Sequence, residues 1–454
     1  MRKNNMLTGS PIKTIVFFSL PIMLSSLLQY NYSLVDNIIV GRYVSTDALA
    51  AVGNVGPIGS FLIGAAFGLT SGFTIPVAHA FGAGDKRKLS HYAGNSITIS
   101  AIVGVAIIIV AHLLTRPLLK AIGTPSEIID LSAAYMNILY FGVPFQMLSN
   151  NFTAISRAVG ESKKPLYFFI VSVIVNFVLD LLFVKNFKWG VEGAAWATLI
   201  ANAVAALLTG IYVIKYNKDV EIKKSDLKPN MATAWEQIKL GIPVSLQFTI
   251  TSIGSMCLQS AVNSFGANVI AGFTAAGRVE NLTNIPMSGL GVATQTFVGQ
   301  NYGARNYERI TKSVKKIFIA DIVVSVIMSL TLYLIGLPTV SLFMTEPNAA
   351  IMAAAKQYII ATAECYSLVA ILFVLRNTLQ GLGFTYSNMI AGAGEFFGRL
   401  AVAFVFTKII GFNAVCYAAP AAWLLADIPL AIIYLSKHKK FKALAAEQKA
   451  KNNI

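Results

Sequence analysis

What constrains this chain most is its long, uninterrupted apolar runs. Ile97 to Leu114 reads ITISAIVGVAIIIVAHLL, with no Lys, Arg, Asp or Glu. A run near 20 residues, rising about 1.5 Å per residue as a helix, matches the ~30 Å hydrocarbon layer of a bilayer. Twelve such spans are read, the first beginning near Thr14 and the last near Phe412. Composition agrees: 56% of the 454 residues are hydrophobic and 12% are charged, against roughly a quarter charged in soluble domains. Barrel strands would alternate apolar and polar residues over ~10-residue segments, and these runs do not. The chain reads as an all-α polytopic membrane protein with 12 transmembrane helices.

The formal charge of +16 is not spread evenly. Basic residues gather at Arg2/Lys3, Lys86–Lys88, Lys163/Lys164, Lys215–Lys228, Arg305–Lys316 and Lys437–Lys451, in every second connection between apolar runs. That is the positive-inside pattern, so both termini are expected in the cytoplasm of a cell-membrane protein. The basic loops face anionic lipid headgroups, and no nucleic acid is expected as a partner. Cys257, Cys365 and Cys416 lie inside apolar runs and read as small hydrophobes. Nothing calls for a cofactor.

The polar stretch from Lys215 to Asn230 divides the chain nearly in half, and the halves resemble each other. FFSLPIMLSSL (Phe17–Leu27) parallels KLGIPVSLQFT (Lys239–Thr249). GLTSGFTIPVAHAFGAGDKRKL (Gly68–Leu89) parallels GLGVATQTFVGQNYGARNYERI (Gly289–Ile310). The domains expected are 1–230, with helices 1–6, and 231–454, with helices 7–12. These are two pseudo-symmetric six-helix bundles of equal orientation, the architecture of alternating-access transporters.

Acidic residues within the spans single out a site. Asp36 lies downstream of Pro21, which is expected to bend the first helix by removing a backbone donor. On the fifth span Asn176 and Asp180 are four apart and share a helix face, as Thr198 and Asn202 do on the sixth. Tyr135 and Asn150 bracket the fourth span. By the repeat offset the counterpart of Asp36 is Cys257 or Leu258, and those of Asn176 and Asp180 fall near Arg399 and Ala403. The scaffold was duplicated and the carboxylates were not, which favours function over architecture. Asp36, Asn176, Asp180 and Thr198 could hold a Na⁺ with oxygen ligands, or take a proton on a buried carboxyl. In the second half Glu364, Arg376, Glu395, Arg399 and Met256 are candidates for a cavity. Glu395 and Arg399 are spaced to pair along one helix, and Arg376 has Glu364 or Glu395 as partner.

At these residues the chain resembles a known family. LTGSPIKTIVFFSLPIMLSSLLQYNYSLVDNIIVGRY, GFTIPVAHAFGAGD, SRAVGESKKP, VNFVLDLLF, GVEGAAWAT, TQTFVGQNYGAR and LQGLGFT together resemble multidrug and toxic compound extrusion (MATE) transporters, in order and spacing, over essentially the whole chain. The resemblance implies a two-lobe exporter coupled to H⁺ or Na⁺, acting by antiport on bulky, often cationic compounds. It implies that Asp36 binds the coupling cation, with Asn176, Asp180 and Thr198 as partners and Tyr135 and Asn150 as support. The chain departs from NorM-like members in having no acid on the seventh helix.

Rival readings are weaker. A lipid-linked oligosaccharide flippase of the same superfamily would need several basic groups in its cavity to hold pyrophosphate. An ion channel lacks a filter repeat. No HExxH, GxSxG or GxxxxGK[ST] occurs, so neither an enzyme nor direct ATP drive is expected. The partners expected are small-molecule substrates and membrane lipids, and the protein is expected to be a monomer.

Overall fold

A computed structural model describes residues 6–343 and 348–452. The basic Arg2/Lys3 pair lies outside them. The described residues form helices and connections, with no strand among them: α1 (Pro11–Tyr43), α2 (Thr46–Phe73), α3 (Ile75–Gly82), α4 (Lys86–Ala121), α5 (Ile129–Ala158), α6 (Lys163–Asp180), α7 (Gly190–Ile211), α8 (Met231–Asn263), α9 (Ala267–Gly303), α10 (Tyr307–Ser341), α11 (Ala349–Glu364), α12 (Tyr366–Gly381), α13 (Tyr386–Ala401), α14 (Thr407–Ile410), α15 (Phe412–Cys416) and α16 (Ala418–Asn452). Short π-helical turns, Leu181–Asn186, Tyr212–Tyr216 and Val402–Phe406, continue α6, α7 and α13. Taking α2/α3, α11/α12, α13/α14 and α15/α16 as single columns leaves twelve, the number read from the sequence. Among the described residues nine helices are long and apolar enough to cross a bilayer, and α11 with α12, bent by 53° at Cys365, makes a tenth. The helices α5 and α9 fall short because they carry polar groups into the protein interior.

Local signals start the helices as the sequence dictates. Asp85 caps α4 by accepting from the Lys88 amide at 2.9 Å. Its repeat counterpart Asn306 caps α10 by accepting from the Arg309 amide at 3.3 Å. The residue before each cap is left-handed, Gly84 at φ 71° and Arg305 at φ 55°, so the second repeat keeps the turn without its glycine. The helix α1 runs through Pro21 as one helix. Since proline has no N–H, the Phe17 carbonyl loses its helical donor there.

The chain forms two compact units. Among the described residues, one is Leu24–Ser245 and the other is 6–23 with 246–343 and 348–452. A cut at 230 separates the repeats along the sequence, whereas the packing changes hands just after Pro21 in α1 and Pro243 in α8.

In the first unit the start of α8 is fixed to α4. Asn95 accepts from the Asn230 amide at 2.9 Å and donates to Gln237 at 2.8 Å, while Gln237 donates to the Phe73 and Tyr92 carbonyls at 2.9 Å each. In the second unit Arg309 and Asn301 hold the segment before α1 through the carbonyls of Met6, Thr8 and Gly9. Close approach needs glycine. A Cβ on Gly72 would lie 2.3 Å from Gly241 Cα, and one on Gly68 2.6 Å from Ser245 Cα. In the second unit Gly289 meets Met23 at the matching repeat positions.

Backbone atoms cannot yield as a flexible side chain does. Gly72→Val is therefore expected to cost about 1–3 kcal/mol or to abolish folded yield. Gly53→Ala, where nothing lies within 4 Å, should be near neutral. Thermal melting of the two purified variants in detergent checks this.

Candidate functional site

Within the first unit three helices converge on a pair of carboxylates. Asp36 comes from α1, Asn176 and Asp180 from the last turn of α6, and Thr198 from α7. Asp180 is fully buried and Asn176 is 2% exposed, while Asp36 and Thr198 are half-buried. The Asn176 amide, oriented as its hydrogen-bond network requires, donates to Asp36 Oδ1 at 3.1 Å and to Asp180 Oδ2 at 3.1 Å. Its oxygen accepts from the Tyr32 hydroxyl at 3.2 Å. Thr198 donates to Asp36 Oδ2 at 3.3 Å. The two carboxyl groups also lie within hydrogen-bonding reach of each other.

The local fold produces this grouping directly. Asn176 and Asp180 share a face of α6 because they are four residues apart. The helix then widens into the π-helical turn Leu181–Asn186 immediately after Asp180, as π segments frequently do at functional sites. The second repeat keeps the π-helical turn, Val402–Phe406, but places Arg399 and Ala403 where the first has Asn176 and Asp180. Among the described residues none donates a hydrogen bond to Asp180 Oδ1. Two carboxylates, Asp180 fully buried and Asp36 half-buried, share one amide, so they are under-supplied with positive charge and Asp180 Oδ1 is available to a proton or cation.

The structure brings Asp36, Asn176, Asp180 and Thr198 together and sets Tyr135 of α5 near both carboxyls. Asn150 does not join them. It sits 15 residues beyond Tyr135 on α5, roughly 22 Å along the axis, too far for one network. Tyr32 is the member that sequence reasoning missed; its position four residues before Asp36 was the available signal.

In the second unit Glu395 takes Arg376 on Oε1 and Arg399 on Oε2, the latter at 3.2 Å, so Arg376 pairs with Glu395 and not with Glu364. Glu364 is exposed at the end of α11 and accepts from Tyr417 at 2.9 Å. Met256 is 43% exposed. Asp321 and Asp427 are buried too, and among the described residues their carboxyl oxygens have no hydrogen-bond partner. Sequence reading also passed over Glu280 on α9, which is buried and bonded to Tyr358.

Twelve helical columns in two repeats, with an acid pair enclosed in the first, define a polytopic helical membrane transporter of the two-repeat class. Residues 21–182 and 243–433 match the model of the MatE family, and the chain belongs to that family of multidrug efflux transporters. It is similar to the probable multidrug resistance protein YoeA of Bacillus subtilis (strain 168), 28% identical over 82% of this chain and 81% of that one. It is also similar to the multidrug export protein MepA of Staphylococcus aureus (strain MSSA476), 25% identical over 95% of each. Among solved structures, a MATE protein crystallised in the bent conformation superposes with a TM-score of 0.88 at 25% identity, covering 98% of this chain and 99% of that one. An outward-facing multidrug resistance MATE family transporter superposes with a TM-score of 0.89 at the same identity and coverage.

If Asn176 holds both carboxylates, Asn176→Ala and Asp180→Asn should not act independently on stability. A double-mutant cycle on thermal melting is expected to show a coupling of about 1–2 kcal/mol. Additive effects would separate the two residues.

Proposed function

We propose that this protein is a secondary active exporter. It drives bulky, often cationic organic compounds out across the cell membrane by antiport against H⁺ or Na⁺. Residues 1–230 form the lobe with the coupling site and residues 231–454 the second lobe; both termini face the cytoplasm, and the monomer is the working unit. The observation that carries this reading is the Asp36–Asn176–Asp180 cluster. The multidrug export named for similar proteins supports the choice of substrate class.

The cluster suits an exchange mechanism. An external proton or cation relieves the charge of two enclosed carboxylates, which favours one arrangement of the helices around them; an organic cation favours the other. Coupling arises only because the two ligands prefer different states. Between the two ions the grouping suits the proton, which two carboxyl groups within hydrogen-bonding reach of each other can share. An acid cluster also fits a cationic substrate better than a pyrophosphate. Arg376 and Arg399, for their part, are already bound to Glu395.

Asp36→Asn is expected to leave folding intact and reduce coupled efflux of a cationic dye from vesicles to background. The assay is run with a proton gradient and a sodium gradient separately. Wild-type export rates from the variant under either gradient would remove Asp36 from the coupling step.

A further inference from the structure

The second unit holds a buried acid that the coupling site does not use. Glu280 on α9 is 8% exposed. Its Oε2 accepts from the Tyr358 hydroxyl at 2.5 Å, and its Oε1 accepts from the Asn284 amide at 3.2 Å. One turn on, Thr283 shares a 2.5 Å hydrogen bond with the Tyr366 hydroxyl, which also reaches the Glu280 carbonyl at 3.4 Å. Tyr358 belongs to α11 and Tyr366 to α12, the two arms of the span bent by 53° at Cys365. A single turn of α9 therefore grips both arms of a broken helix, one on each side of the break.

The two grips differ in chemistry. The α12 grip joins two hydroxyls and a backbone carbonyl, none of which changes charge near neutral pH. The α11 grip is a phenol donating to a carboxylate, and a hydrogen bond to an ionised acceptor is roughly twice as strong as a neutral one. The groups facing Glu280 are Tyr358 from α11, Tyr366 from α12, Arg399 from α13 and Asn284 from its own helix. Among the described residues α10, which also packs on α9, sends no titratable side chain to it. By repeat offset Glu280 corresponds to Gly59 or Ile58 in the first half, so this carboxylate has no symmetric twin.

We propose that Glu280 is a second proton-binding group, whose protonation loosens α11 from the clamp while α12 stays held. The incoming proton neutralises the carboxylate, the Tyr358 bond falls from charge-assisted to neutral, and the span opens at Cys365. This inference does not rest on the reading of Asp36.

Cys365, half-buried at the break, is a native reporter. In a Cys257→Ala/Cys416→Ala background, its labelling rate with a maleimide is compared with that of the same protein carrying Glu280→Gln, a mimic of the protonated acid. Taking the ratio cancels the pH dependence of the thiol's own reactivity. At about pH 8 the Glu280 protein should label about fivefold more slowly than Glu280→Gln, and at about pH 5 the two should converge. Tyr358→Phe, which removes the donor, should label fast at both values and guards against misfolding of the glutamine variant. Equal rates at high pH, or a ratio that ignores pH, would overturn the proposal. So would loss of the response in Asp36→Asn, since that would assign it to the first site. If efflux coupling survives Asp36→Asn while the Cys365 response persists, the function proposed above fails and this one stands.

Discussion

Burying two carboxylates beside one another is the interaction on which the rest of this molecule depends. An ionised carboxyl in a low-dielectric interior costs several kilocalories per mole unless it is paired, and a second one nearby raises that cost. Here Asp36 and Asp180 share a single amide, one hydroxyl approaches each side of the group, and among the described residues no arginine or lysine is bonded to either. The glycine-tight helix contacts and the capped turns hold the frame within which so costly a pair can persist. In the function proposed, its need for a proton or cation is what makes the site able to do work.

Comparison of the two repeats sharpens this. Turns, caps, glycine contacts and the π-helical turn recur in both halves, so they are scaffold. Acids do not recur at matching places. The first half has its pair on α1 and α6. The second has Glu280 on α9, and a Glu395 neutralised by Arg376 and Arg399. A scaffold residue should survive duplication in both copies. Those that differ mark where each half has taken up chemistry of its own.

Much of this was legible in the sequence, for physical reasons that can be named. Apolar runs of bilayer length fixed the helical class, and four-residue spacing put Asn176 beside Asp180 on one face. Asp180 stood out because its neighbours are all apolar. Glu280 did not, because it sits in GRVENLTN among other polar residues, a window too polar for α9 to register as a span. Asn150 looked equivalent to Tyr135 by helix membership alone, since face and depth both matter and only face is easily counted. The change of unit just after Pro21 and Pro243 depends on long-range packing, which no local pattern encodes.

The most direct test is proton release on substrate binding. Purified protein in lightly buffered detergent solution, with a pH indicator present, is mixed with a cationic dye. The account expects the wild type to release protons as the dye binds, and the Asp36→Asn/Asp180→Asn double variant to bind dye without releasing them. Undiminished release from the double variant would contradict it, because the exchanged proton would then come from somewhere other than this carboxylate pair.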